Sequence, residues 1–499
     1  MNQGNPVRVR FAPSPTGRTH LGSGRTALYN YLLARQTGGK FILRIEDTDQ
    51  KRYVPGAEKE LIDSLHWLGI DWDEGPEVGG PNGPYYQTQR KEIYQQYARQ
   101  LIDSGHAYYC FCTPERLDQV RKEQISRKEN PRYDGLCRRL DPADASARVA
   151  SGERHVVRFK VPAAGSVTAH DLIRGDITVD TSALDDHVIV RSDGLALYHL
   201  AAMVDDHLMN ITHVIRGSEW LSTFPLHVLI IRAFGWQEPQ WVHLSLFLKP
   251  SGKGKMSKRE TSQLSQEGYS IFIKDLRDLG YIPEGVVNWV ALMGWSYDDR
   301  TEYFTMQDLI DKFSLEHLNP APAAINFTKL DFFNGLHIRN LSHQDLANRL
   351  APFIPSAGSQ LEKDILSRAI PILQPRLVTL DDVIPVAGFL FKSDVTPNPV
   401  ELVGVNMTPA QSAKIARQVY QILSALPEIS QDLAEPPLRN LLEQSGLKAG
   451  QVFGIIRVAV TGQKNSPPLF ECMEIIGKDK VLERIQSAAE LLEHMHNPQ

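Results

Sequence analysis

Cysteine is scarce: four in 499 residues are too few for a disulfide framework, and three of them, Cys110, Cys112 and Cys137, fall in one stretch. Long apolar runs are missing too. The longest stretch found, Val286 to Trp295, is interrupted by Asn288 and falls short of the roughly 20 residues a spanning helix needs, so no membrane partner is expected. Met1 to Phe11 carries Pro6, Arg8 and Arg10 but no apolar core, so no secretory leader is read there and the expected compartment is the cytoplasm. Charge of one sign is not in excess. Lys and Arg total 54 against 59 Asp and Glu, a net of -5, which excludes a histone-like polycation and leaves any nucleic-acid partner to local basic patches. Glycine (35) and proline (31) are ordinary, so collagen-like and low-complexity classes drop out. At roughly 100–200 residues per domain, the chain has room for three or four domains.

What is present begins with alternation. Val7, Val9 and Phe11 alternate with Arg8 and Arg10, a period of two that predicts a short strand. A helix is expected from about Leu21 to the Gly38-Gly39 pair, then a strand over Phe41 to Ile45, then a helix opening at Pro55 and ending at Gly69. Strand, helix, strand, helix predicts a parallel sheet. The turn before the first helix has two readings. Gly22, Gly24 and Ala27 fit G-x-G-x-x-A, with Glu46 near the place of a ribose-binding acid, which points to a dinucleotide-dependent oxidoreductase. Alternatively, His20-Leu21-Gly22-Ser23 is a turn at a helix N-terminus, where free N–H groups and the helix dipole attract phosphate. A second basic feature lies far away: Gly252 and Gly254 precede Lys255-Met256-Ser257-Lys258-Arg259, and five basic residues fall between Lys249 and Arg259.

Paired, His20-Leu21-Gly22-Ser23 and the Lys255–Arg259 loop resemble the two signature motifs of class I aminoacyl-tRNA synthetases. Arg10-Phe11-Ala12-Pro13-Ser14-Pro15-Thr16-Gly17, Arg44-Ile45-Glu46-Asp47-Thr48-Asp49 and Val214-Ile215-Arg216-Gly217 sharpen the resemblance to bacterial-type glutamyl-tRNA synthetases. It implies an α/β plus all-α chain: a doubly wound, Rossmann-like catalytic domain (1–110 and 188–260), an inserted acceptor-end-binding domain (111–187), a stem-contact region (261–335) and a helical anticodon-binding domain (336–499). It implies a monomer that forms glutamyl-adenylate from L-glutamate and ATP with Mg²⁺, then charges tRNA(Glu). By the same resemblance, His20 and Lys258 act in catalysis; His20, Gly22, Ser23, Lys255, Ser257 and Lys258 bind ATP; and Arg10, Ser14, Glu46, Tyr198 and Arg216 bind glutamate. The physical case stands beside it, since a guanidinium grips a carboxylate through two charge-assisted bonds. A non-catalytic tRNA-binding paralogue is the rival from another class, and intact His20, Lys258, Arg10 and Arg216 argue against it.

Residues 116–160 hold twelve Lys or Arg against seven Asp or Glu, an excess that suits a phosphate backbone as well as a wet surface. Cys110 and Cys112, then twenty-four residues, then Cys137 supply three soft ligands for zinc or three buried thiols. In zinc-bearing relatives a His can follow the last Cys by two; Arg139 stands there, so Tyr133 is the fourth ligand to name. Downstream the patterns turn helical, with a Ser342-x-x-Asp345 cap and a helix from about Thr408 to Leu426. The resemblance assigns Arg457, Ser466, Pro467 and Leu469 to the anticodon, while Arg457 tying helices and Leu469 packing is the plainer alternative.

Overall fold

The computed structural model describes residues 6–254, 258–354 and 359–496. The chain opens with β1 (Arg8–Phe11), α1 (Leu21–Thr37), β2 (Lys40–Leu43) and α2 (Ala57–Trp67), the alternation the apolar periodicity predicts. His20 caps α1 by accepting the Gly22 N–H on Nδ1, and Gly38 ends it at φ 64°, a left-handed turn that a side chain would strain. The second helix starts two residues after Pro55, because Gly56 sits at φ 83° and cannot belong to a right-handed helix. β1 and β2 pair in parallel, Arg10 opposite Ile42.

There follow α3 (Lys91–Asp103), β3 (Ala107–Cys110), α4 (Pro114–Ser126), α5 (Pro142–Ala150), β4 (Val156–Phe159), β5 (Ser166–Asp171), β6 (Gly175–Asp180) and β7 (Val188–Val190). Then α6 (Tyr198–Leu208), β8 (His213–Gly217), α7 (Phe224–Ala233), β9 (Gln240–Leu244) and α8 (Lys258–Gln266) complete the frame of the site. β8 and β9 are parallel with Arg216 opposite His243, and β5 joins β9 in parallel at Asp171 and Trp241. The Arg8 carbonyl accepts the Thr212 N–H at 2.9 Å, which sets β1 beside β8. The C-terminal ends of β1, β8 and β9 therefore lie side by side, the edge at which open parallel sheets bind ligands, while β5 ends beside Trp241, three residues short of the end of β9.

Of the 111–187 segment, β4 is the middle strand of a small antiparallel sheet, β3-β4-β7, whose outer strands fall just beyond those bounds, and the β5–β6 hairpin extends the parallel sheet. One apolar cluster accordingly runs from Val167 and Ala169 of the hairpin through Leu200 and Met203 of α6 to Trp241 of β9.

The chain divides into two compact units, residues 1–276 with 286–327, and 277–285 with 328–499. The second is helical throughout its described residues beyond 336. Ser342 caps His343–Leu350 as expected, and Thr408 with Gln411 forms a capping box at the head of Pro409–Ala425. The long helices Pro409–Ala425 and Lys478–His496 pack together, with Arg417 clasping Glu493 at 3.0 and 2.9 Å. Among the described residues no helix is long and apolar enough to cross a membrane.

Candidate active site

Arg10 is the third residue of β1 and Arg216 the fourth of β8, so both side chains reach the ligand-binding edge of the sheet; they are 3% and 4% exposed. Their partners differ in kind. Arg10 gives Nε and Nη2 to Asp206 of α6 at 3.1 and 3.4 Å, and Asp206 also accepts from Arg44 Nη1 at 2.8 Å. Arg44 spans to Glu46 at 3.1 Å, while Asp205 accepts from Arg90, Gln87 and Tyr94 at 2.7, 2.9 and 2.8 Å. Three buried cations, Arg10, Arg44 and Arg90, thus face three buried acids, Glu46, Asp205 and Asp206. Burial still pushes the Glu46 carboxyl up to about 7, against the pull of Arg44 and then Arg10.

Arg216 has no carboxylate partner among the described residues. Its Nε donates to His243 Nε2 at 2.9 Å, Nη1 to the Tyr198 hydroxyl at 3.3 Å and Nη2 to His227 Nδ1 at 3.0 Å, all neutral acceptors. Burial pushes its guanidinium below the usual range, and the neighbouring Tyr198 raises it in part. Tyr198 opens α6 and stacks on Trp220 with ring centres 4.0 Å apart. A buried, uncompensated guanidinium is a site for an anion, and the acid Glu46 on the neighbouring network is a site for a cation. Ser14 lies exposed on the loop after β1, whose Pro13 carbonyl accepts the Glu46 N–H at 2.9 Å. Arg10, Glu46, Tyr198 and Arg216 therefore come together, with Ser14 at the rim.

Three of the nucleotide-binding candidates, His20, Gly22 and Ser23, share the start of α1. With Nδ1 of His20 used by Gly22 at 3.0 Å, its Nε2 is left as the donor of a neutral ring, and burial lowers the ring's tendency to protonate. A Cβ on Gly22 would meet nothing of the protein closer than His20 Nδ1 at 3.6 Å, so the space above the first turn is open. Ser23 sits in that turn, its N–H on the His20 carbonyl. The chain leaving α8 returns here: Leu21 donates to Ile271 and Ile273 to the Thr19 carbonyl, at 2.9 and 3.0 Å. Lys258 is the first residue of α8. Lys255 and Ser257 lie outside the described residues. Glu46, locked on Arg44, is not presented as a ribose ligand, and nine residues separate β1 from α1, so the dinucleotide reading finds no support in this geometry.

In the inserted segment the sulfurs of Cys110, Cys112 and Cys137 lie within 4.8 Å of one another. The Tyr133 hydroxyl is 3.5 Å from Cys110 and 3.6 Å from Cys112, and Cys112 is 3.6 Å from Cys137. Arg116 donates to Cys112 at 3.4 Å, and Arg158 lies over the Tyr133 ring at 4.0 Å. Arg139, by contrast, is exposed.

In the helical unit Arg457 turns inward, donating to Ser466 and, at 2.9 Å, to the Pro467 carbonyl. Pro467 is buried, and Leu469 is packed in the apolar cluster with Ile456 and Met473. The four anticodon candidates thus share one place, where Arg457 braces a turn and Leu469 packs.

Sequence reasoning missed Asp205, Asp206, His227, His243 and Asp171. The only local sign was two adjacent acids inside the apolar helix Tyr198–Leu208, a pairing that burial without counter-charge would forbid. Three of the missed or neighbouring imidazoles stay neutral. Burial pushes His199 and His243 down to about 4, and His227 further below the ordinary 6.5. The unfolded chain takes up these protons as pH falls below 6.5 while the folded chain refuses them, so folding stability is expected to fall through that window. Urea midpoints at about pH 7.5 and about pH 5.5 check this, and equal midpoints would contradict it.

Residues 6–332 match the family model described as tRNA synthetases class I (E and Q), catalytic domain, and residues 345–489 match an anticodon binding domain. A glutamate–tRNA ligase of Dehalococcoides mccartyi is 44% identical over 489 residues, covering 97% of this chain and 98% of that protein. One of Borreliella burgdorferi is 44% identical over 493 residues, covering 97% and 99%. Among solved structures, a glutamate tRNA ligase from Elizabethkingia meningosepticum in complex with its amino acid superposes with a TM-score of 0.89 at 35% identity, covering 97% of this chain and 99% of that one. With both halves matched and the sheet edge built as described, the chain belongs to the class I tRNA synthetases of the E and Q type.

Proposed function

We propose that this chain is a glutamate–tRNA ligase that activates L-glutamate with ATP and transfers it to tRNA(Glu). The observation that carries the choice of amino acid is Arg216: a buried cation whose three partners are neutral. The side-chain carboxylate of glutamate completes it, and a carboxamide leaves it unpaired. Glu46 takes the α-ammonium group, Tyr198 and Ser14 line the pocket, and Arg10, anchored on Asp206, offers its remaining nitrogen.

An α-carboxylate oxygen then attacks the α-phosphorus of ATP, the bond to the bridging oxygen breaks and pyrophosphate leaves with the electron pair. The attacking group is already ionised, so no general base is required. His20 donates from Nε2, the first turn of α1 at Gly22 and Ser23, whose N–H groups are held by His20, leaves room for the phosphates beside the positive end of the helix, and Lys258 with Lys255 and Ser257 serves them; loss of one such donor costs about 10²–10³ in rate. Mg²⁺ arriving with ATP supplies neutralisation of the leaving pyrophosphate. In the second step a ribose hydroxyl of the tRNA end attacks the acyl carbon and AMP leaves.

The division into four parts goes with this reading, as do a cytoplasmic monomer, acceptor-end binding by the 111–187 segment, within which residues 116–160 carry a basic excess, and anticodon contact at Arg457, Ser466, Pro467 and Leu469. In that last group the buried Pro467 and Leu469 act through backbone and shape. The cysteine cluster fits zinc. Tetrahedral Zn–S bonds of about 2.3 Å place sulfurs about 3.8 Å apart, close to the 3.6 Å between Cys112 and Cys137. Tyr133 supplies the fourth donor, and Arg116 and Arg158 offset the thiolate charge. One zinc per chain is expected by elemental analysis of protein purified without chelator, falling on Cys112→Ser; absence of zinc in the wild type would leave the cluster as thiols.

The functional reading is tested by ATP–pyrophosphate exchange in the presence of tRNA(Glu). Exchange with glutamate and little with glutamine is expected. No exchange with any amino acid would return the chain to a non-catalytic tRNA binder.

A further inference from the structure

Arg216 raises a question that naming its ligand does not answer: what keeps a buried guanidinium charged, free of a counter-ion and aimed at one place. We propose that His227 and His243, with Asp171 behind His243, are positioning residues that hold Arg216 as a two-pronged carboxylate receptor and so set the preference for an acid over its amide. This rests on the reading that the chain activates glutamate.

The hydrogen bonds dictate the tautomers. Arginine only donates, so each ring nitrogen facing Arg216, Nε2 of His243 and Nδ1 of His227, must present a lone pair. A neutral imidazole then carries its proton on the other nitrogen. His243 Nδ1 donates to Asp171 Oδ2 at 2.7 Å, and the same oxygen accepts the His243 backbone N–H at 2.9 Å. His227 Nε2 donates to His199 Nδ1 at 2.9 Å. Asp171 is itself fixed, since its Oδ1 accepts the N–H groups of Ile173 and Arg174 at 3.1 and 3.0 Å. Asp171, His243 and His227 are all fully buried. The chain of contacts crosses three neighbouring strands, β5, β9 and β8, with Arg216 and His243 opposite each other in register.

Of the five guanidinium N–H groups, three are consumed by His243, Tyr198 and His227, which leaves one hydrogen on each terminal nitrogen. Two such hydrogens match two carboxylate oxygens; a carboxamide matches one and sets N–H against N–H with the other. Arg10 shows the alternative outcome, because Asp206 occupies two of its nitrogens and cancels its charge. An acid in place of either histidine would do the same to Arg216. Neutral imidazoles orient it without paying it off.

The test is exchange kinetics on the full chain, with glutamate and with glutamine. His227→Leu and His243→Leu remove a lone pair each, and each is expected to raise the glutamate KM about 10- to 100-fold and to narrow the preference over glutamine, while the ATP KM is unchanged. His227→Asn and His243→Gln return a carbonyl oxygen near the lost lone pair and are expected to recover most of the affinity, which simple filling of space would not. Leucine variants with the wild-type glutamate KM, or amide variants no better than leucine, would overturn the proposal while leaving the functional reading intact. A wild-type chain without glutamate-dependent exchange would overturn both.

Discussion

Arg216→Ala is expected to lower kcat/KM for glutamate by about 10²–10³ and to bring the glutamate-to-glutamine ratio close to one. The magnitude follows from leaving the substrate carboxylate buried without its cation, a loss of about 2–5 kcal/mol, where each 1.4 kcal/mol is about tenfold. Discrimination collapses for a second reason. In the wild type, glutamine is rejected because it leaves the guanidinium unpaired; without the guanidinium neither ligand is penalised in that way. Arg216→Lys is expected to fall between the two, since an ammonium is a point charge that cannot fork across two oxygens. Exchange assays with both amino acids, on variants whose unfolding midpoints match the wild type, decide the matter. A variant that keeps its full preference would place amino-acid selection elsewhere, with Arg10 the next cation along the sheet edge.

Asp205→Ala is expected to cost about 3–5 kcal/mol of folding stability, the largest single effect on the fold among the changes considered. The carboxylate is fully buried and accepts from Arg90, Gln87 and Tyr94, with Arg44 Nε at 3.6 Å. Truncation strips the acid and leaves the Arg90 Nε and the Tyr94 hydroxyl without an acceptor, with Arg90 held only by the Asn82 and Pro84 carbonyls and Gln87 only by Glu46 at 3.4 Å. Removing both ends of the pair separates network from packing: Asp205→Leu with Arg90→Met is expected to be less destabilised than Asp205→Ala alone, because replacing both members of a buried ion pair with apolar groups is close to neutral. Urea titrations of the three chains measure this. A single-variant loss under about 1 kcal/mol would mean that water reaches Asp205 and that the network is not dry.

These two arginine environments also explain why a ligand-binding arginine and a structural one are hard to tell apart in sequence. Arg10, Arg44, Arg90 and Arg216 are all buried in or beside short elements near the same sheet edge. Three have acids supplied by Glu46 and by the pair Asp205 and Asp206. The fourth has imidazoles. The difference lies in what another element brings to the guanidinium, and α6 and α7 bring opposite things: carboxylates to Arg10 and Arg44, a ring nitrogen to Arg216.

What the amino-acid order determined by itself was local: the strand–helix alternation at the start, the end of α1 at Gly38, the cap at Ser342 and the start of a helix at Thr408. Each depends on side-chain periodicity, backbone freedom or hydrogen bonds that close within a few residues, so neighbours in the chain suffice to define them. Tertiary structure alone decided the charges. Asp206 lies 196 residues from Arg10, and Asp171 lies 72 residues from His243, so no local pattern reports that one arginine is neutralised while another is left open. Only the parallel stacking of β1, β8, β9 and β5 brings those groups within reach, because an ion pair or a tautomer is chosen by proximity in a low-dielectric interior and not by distance along the chain.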